Sequence, residues 1–372
     1  MTRLREALDD IAAQAPLVDL ADVAVAGYRR RRRRSTFMLA AVATVTVVGA
    51  ASTAVTLPWQ GAGVADRTVT PQQVDTVPTL PDGAVGPLAY AFQTPCKQQS
   101  NPIRIDCGTV EWRVVTRNNR TYRVPQALAS TTKDRPAPVA ISRDGRMLVY
   151  YSRQAQAHVV RDLVGGTQVT SAVAVPEERI DIGSMLALSD DGRYVFFDPR
   201  EGSKDPGLLI DVRTGKSRPV DGKYEVVSVK DGVAELVRFG KTDLWQMPVT
   251  GGGRPVRFDG KFIMFSELAP DGRTVVAFDH PDHTKNKLSV LDAKNGRILR
   301  TVSIRGLPAK RGGGVLETGL WTSGSEVTII YGYQNEVRAY AVDIGTGKAR
   351  QVARYPGGGK MVHLVLPGMA SR

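Results

Sequence analysis

One pattern recurs along this chain and limits its fold more than any other feature. It is an apolar strand, an Asp-Gly turn and a second apolar strand. It stands at 139–151 (VAISRDGRMLVYY), 185–197 (MLALSDDGRYVFF) and 266–278 (SELAPDGRTVVAF). A looser copy is 226–237 (VVSVKDGVAELV), and 320–331 (LWTSGSEVTIIY) puts Ser-Gly where the others have Asp-Gly. Aspartate tolerates the turn and glycine supplies the positive φ, so each unit reads as a hairpin. The strand after each turn is apolar on both faces, as in Leu148-Val149-Tyr150 and Val275-Val276-Ala277-Phe278. A sheet open to water on one side would alternate instead, so these sheets are expected to be covered on both sides.

A second hairpin follows each of the first. It appears at 159–169, 208–220, 244–258, 288–302 and 337–352, with an apolar strand, a glycine turn and a more polar outer strand. Gly166, Gly215, Gly252, Gly296 and Gly347 mark these units. A degenerate first unit spans 88–125 and carries the Asn118-Asn119 turn. Four antiparallel strands per unit, both faces covered, repeated about six times, describe an all-β propeller. The expected count is six blades; 361–366 (MVHLVL) either closes the ring or begins a seventh.

At Ala269-Pro270-Asp271-Gly272-Arg273 the chain resembles the WD40-like, TolB-type propeller repeats. Asp144-Gly145-Arg146 and Asp191-Gly192-Arg193 match the same signature in part, and the Trp-Asp pair that names WD40 repeats is missing. The resemblance covers about residues 85–367 and implies a fold, not a chemistry.

Ahead of the repeats lies a second constraint. Arg29, Arg30, Arg31, Arg32, Arg33 and Arg34 run into Ser35 and an uncharged stretch, 36–57. As a helix that stretch is roughly 33 Å long, enough for a bilayer core of about 30 Å. A basic flank on one side alone predicts a cytoplasmic N-terminus and an exported remainder. The expected divisions are a cytoplasmic tail with a basic stop signal at 1–35, a transmembrane helix at 36–57, a Pro/Gly-rich linker at 58–84 and an extracytoplasmic propeller at 85–372. Within the tail, Leu4, Leu8 and Ile11 share a helical face, Pro16 ends it, and Leu20, Val23 and Ala24 suit a second short helix. Such helices bury no core of their own, so a membrane surface or a cytoplasmic partner of residues 1–28 is expected to cover them. The layout resembles single-pass regulators of the anti-sigma type. It departs from their zinc-binding version, since no His or Cys precedes residue 36.

The formal net charge is +13, and all but about +3 of it follows residue 35. A basic domain outside the membrane is expected to meet anionic lipid or wall polymer, not nucleic acid. Cys96 and Cys107 are the two cysteines; an even count in an oxidising compartment predicts one disulfide stapling a surface loop.

Signals for catalysis are sparse. There is no Gly-x-Ser-x-Gly elbow. Gly345-Thr346-Gly347-Lys348 lacks the earlier glycine of a phosphate loop and reads as a hairpin turn. Asp279, His280 and His283, with Asp282, are the weak metal candidates; His158 and His363 stand alone in strands and read as structural. No cofactor is expected. The functional expectation is an anchored extracytoplasmic binding module for a protein or envelope ligand, able to signal inward through its tail. The alternative is a cell-envelope hydrolase or lyase with its site at the propeller channel.

Overall fold

Each Asp-Gly unit folds as an antiparallel hairpin, and each is extended by its following hairpin into a four-stranded sheet. In the computed structural model the described residues are 77–100, 103–238, 242–308, 313–334, 336–356 and 361–371. The tail, the arginine run, the 36–57 segment and most of the linker lie outside them. Among the described residues no helix is long and apolar enough to cross a membrane.

Six such sheets form the ring. Blade 2 is Val139–Ile141, Met147–Ser152, Ala157–Asp162 and Gln168–Ala174; blade 3 is Met185–Leu188, Tyr194–Asp198, Gly207–Asp211 and Lys216–Val220. Blade 4 is Glu225–Lys230, Val233–Arg238, Asp243–Pro248 and Val256–Arg257; blade 5 is Phe262–Ile263, Thr274–Asp279, Lys287–Asp292 and Ile298–Ser303. Blade 6 is Gly313–Trp321, Glu326–Tyr333, Glu336–Asp343 and Ala349–Pro356. Blade 1 takes its innermost strand, Val362–Val365, from the far end of the sequence, followed by Leu88–Gln93, Trp112–Thr116 and Thr121–Arg123. Ala91 pairs with Val365 and Gln93 with Val362. The 361–366 strand therefore closes a six-bladed ring instead of opening a seventh blade.

The double-sided apolar strands do what their pattern requires. Leu148 and Tyr150 pack toward Leu88 and Trp112 of blade 1, while Val149 and Tyr151 pack toward Leu186 and Phe197 of blade 3. Phe196, next in line, faces Leu236 of blade 4. Strand periodicity of two thus sends successive side chains into successive inter-blade cores. The fourth strands carry the exposed, polar positions, as in Lys216–Val220.

Blade 5 departs from the repeat. A strand beginning at Ser266 is expected there; the strand is instead Phe262–Ile263, paired with Asp279 and Phe278. Met264 then takes a left-handed φ of 56° and the chain bulges. Ladder-like bonding resumes where the Ser266 and Ala269 amides donate to Val276 and Thr274.

Two additions sit on blade 1. Cys96 and Cys107 are bonded, with Cα atoms 4.3 Å apart, at the base of a hairpin of Lys97–Ser100 and Ile103–Asp106. The described end of the linker docks on the outermost strand: the Leu80 amide donates to the Arg123 carbonyl at 2.9 Å, and Leu80 is buried. Thr79 bridges Arg123 in parallel, so this part of the linker lies along the outer edge of blade 1.

Candidate functional site in the central channel

The Asp-Gly turns gather at one end of the ring, and their construction repeats. In blade 2 the Ser142 hydroxyl and the Arg146 amide both donate to Asp144 Oδ1, at 2.6 and 2.9 Å. In blade 3 Ser189 and Arg193 do the same to Asp191, at 2.7 and 3.0 Å. The arginine that follows the glycine reaches the aspartate opening the blade's outer hairpin turn: Arg146 to Asp162 at 2.9 Å, Arg193 to Asp211 at 2.8 Å, Arg273 to Asp292 at 2.6 Å. These bonds hold Asp211 down to about 2. Asp144, Asp191 and Asp271 are therefore turn residues.

In blade 2 the residue before the aspartate, Arg143, reaches across the ring instead. Arg143 donates its backbone amide to Asp190 Oδ1 of blade 3 at 3.1 Å. Its guanidinium pairs with Glu267 of blade 5, across the ring. Glu267 is placed by the blade 5 bulge, and its side chain is 1% exposed. The Trp321 amide donates to Glu267 Oε1 at 3.0 Å, and the Trp321 indole N–H to the Glu267 carbonyl at 2.8 Å. Four blades thus meet at one carboxylate and one guanidinium.

Glu267 shares a cavity with two further carboxylates. Glu225, Glu267 and Glu317 line a channel cavity with Ser228, Thr318 and Met369. Beside it Glu235 is wholly buried; it accepts from Ser228 Oγ at 2.8 Å and the Leu268 amide at 2.9 Å. Burial pushes its carboxyl up to about 7, against those two donors. Asp198, at the other end of blade 3, is pushed up to about 8 by burial, with Glu225 and Glu201 adding to the rise.

The chain itself occupies much of the channel. After Val365 it turns back: the Gly368 amide donates to the Ile141 carbonyl of blade 2 at 2.8 Å. Ser371 and Leu186 of blade 3 exchange backbone bonds at 2.9 and 3.1 Å. A cavity of about 30 Å³ lies beside this segment, lined by Gly368, Met369 and Ala370 among others. That volume corresponds to about two waters.

The metal candidates sit elsewhere, in the loop between the second and third strands of blade 5. The Ser289 hydroxyl donates to Asp279 at 2.5 Å, Lys285 pairs with Asp282 at 2.6 Å, and the His280 and His283 rings stack 6.5 Å apart. Among the described residues no group of three His, Cys, Asp or Glu is arranged to hold a metal ion. His158 is buried between Tyr151 and Phe197, and burial lowers it to about 4. Gly345–Lys348 is a hairpin turn closed by the Thr346 amide on Asp343 at 2.7 Å.

No family model matches this chain, and neither does any curated protein. Among solved structures, TolB from Acinetobacter baumannii aligns over 76% of this chain and 67% of its own, at 14% identity and a TM-score of 0.47. A nidogen/laminin complex aligns over 74% and 97%, at 10% identity and 0.43. The Cps50 (Swd1) β-propeller domain of Myceliophteria thermophila aligns over 62% and 75%, at 15% identity and 0.38. Likenesses at this level say nothing of chemistry; the six blades rest on this chain's own strand pairing.

Proposed function

We propose that this chain is a membrane-anchored, extracytoplasmic propeller that acts as a binding module for a protein or envelope ligand and signals inward through residues 1–28. The single observation that carries the binding role is the Arg143–Glu267 pair that ties opposite blades across the channel. The latch and the 367–371 segment cross the channel beside a cavity of about 30 Å³, which favours the loops and the rim for recognition. The Cys96–Cys107 bond supports an oxidising compartment. The charge-free stretch behind six arginines supports the anchor and its orientation.

The test is affinity capture from native membranes with the full chain and with a chain lacking residues 1–28. The reading expects one cytoplasmic partner to vanish with the tail while envelope partners persist. Identical partner sets would remove the inward signal.

A further inference from the structure

We infer that the outer rim of blades 5 and 6 is a docking surface for an anionic lipid bilayer. The inference deepens the membrane reading above by naming the part of the propeller that meets lipid.

The rim of blade 5 is unusual in what it exposes. Residues 287–305 hold Lys287, Lys294, Arg297, Arg300 and Arg305 against one acid of their own, Asp292, while Asp343 of blade 6 faces Arg300 and Asp282 faces Lys287. Asp292 is buried and taken by Arg273 at 2.6 Å, so it neutralises nothing on the rim. Among these cations stand two adjacent aliphatic side chains, Ile298 at 45% and Leu299 at 51% exposure. A register slip explains their display. Leu291 opposes Ile298 and Val290 opposes Arg300, which leaves Leu299 opposite no residue. A bulge re-aims the strand at such a point.

Blade 6 repeats the device beside it. Tyr340 opposes Gln351 and Ala339 opposes Ala353, leaving Val352 unopposed and 44% exposed. The two rims are joined: the Arg305 amide donates to Gly347 and the Ala349 amide to Arg305, both at 2.8 Å. Blade 6 in turn packs on blade 1 through Tyr355 and Tyr90, 5.4 Å apart, and blade 1 carries the incoming linker on its outer strand. The cationic edge of blade 5 thus lies two blades, and Val352 of blade 6 one blade, from where the linker arrives.

Exposed aliphatics ringed by Arg and Lys suit the boundary of an anionic bilayer, where acyl chains take the apolar groups and headgroups the cations. A soluble polyanion would use the cations and leave Ile298 and Leu299 in water.

The test uses residues 77–372, which close the ring with their own strand and carry no anchor, so it is independent of the topology of the full chain. Co-sedimentation is measured with vesicles of phosphatidylglycerol and phosphatidylcholine, with pure phosphatidylcholine, and with polyphosphate as competitor. Binding is expected on the anionic vesicles and not on the neutral ones. I298S/L299S and R297E/R300E are each expected to weaken it about tenfold or more while leaving the unfolding midpoint unchanged. Trp in place of Ile298 is expected to shift its emission to the blue on anionic vesicles. Anionic-vesicle binding that I298S/L299S does not alter, or an unshifted Trp emission, would overturn the lipid assignment. So would absence of binding to any vesicle.

Discussion

Arg143 on blade 2 pairs with Glu267 on blade 5, directly across the channel and 124 residues on in sequence. This bond ties opposite blades together, and the 367–371 segment bonds to blades 2 and 3 beside it. Removing one partner leaves the other charge without its counter-ion, and Glu267 is the more deeply buried. Arg143→Ala is expected to cost about 3–5 kcal/mol, read as a fall in the urea midpoint at constant slope. Replacing both residues by apolar ones of similar volume is expected to cost much less. Equal losses for the single and double variants would mean that the latch contributes nothing beyond packing.

Gly145 offers a second contrast. Its φ is 75°, and a Cβ there would lie 2.3 Å from the Leu88 carbonyl oxygen of blade 1. Gly272 has nearly the same φ, 65°, with nothing within 4 Å. Gly272→Ala is expected to cost about 1 kcal/mol from backbone strain alone, and Gly145→Ala at least about twice that, because two blades must part. Thermal melts of the two variants decide it.

The stabilisation from two buried carboxyls is expected to fall as pH rises from about 4 to about 8. Asp198 and Glu235 are raised to about 8 and about 7 when folded, above their unfolded values. The folded state therefore holds protons that the unfolded state has lost. That contribution is full below the unfolded values and disappears as pH passes the folded ones, at up to about 1.4 kcal/mol per pH unit per group. His158 works in the opposite sense and lower down: lowered to about 4, its contribution is present above 6.5 and is lost on acidification. Chemical denaturation at pH 6.5 and 8.5 checks the upper limb, which D198N and E235Q are expected to flatten.

Reduction of Cys96–Cys107 is expected to free the Lys97–Ser100 and Ile103–Asp106 hairpin without unfolding the ring. The bond closes a short local loop inserted between two strands of blade 1. Limited trypsin digestion should cut at Lys97 or Arg104 after reduction only, with the near-ultraviolet spectrum of the aromatic cores unchanged. Loss of that spectrum on reduction would assign the staple to the propeller as a whole.

The blades were legible because strand periodicity and turn chemistry are local. Val149 and Tyr150 had to face opposite cores, and Gly145 had to turn. Ring closure by Val362–Val365 was half legible, since a strand without a hairpin partner must pair with something. The channel was not. Arg143 and Glu267 occupy ordinary positions beside an Asp-Gly turn, and their meeting depends on a six-fold ring that no local pattern encodes. Glu235 and Asp198 left one faint signal, an acid inside or at the end of an apolar strand: Val233–Arg238 and Tyr194–Asp198. The bulges that display Leu299 and Val352 are register events, silent until the partner strand is known.

Sidedness is the claim on which the functional account stands. Ser323 lies exposed on a blade 6 turn. With both native cysteines replaced and Ser323→Cys introduced, intact cells are treated with a membrane-impermeant maleimide. The account expects full labelling of that thiol before lysis, and none of a cysteine placed at Ser35 until the cells are broken. Labelling of position 323 only after lysis would contradict it.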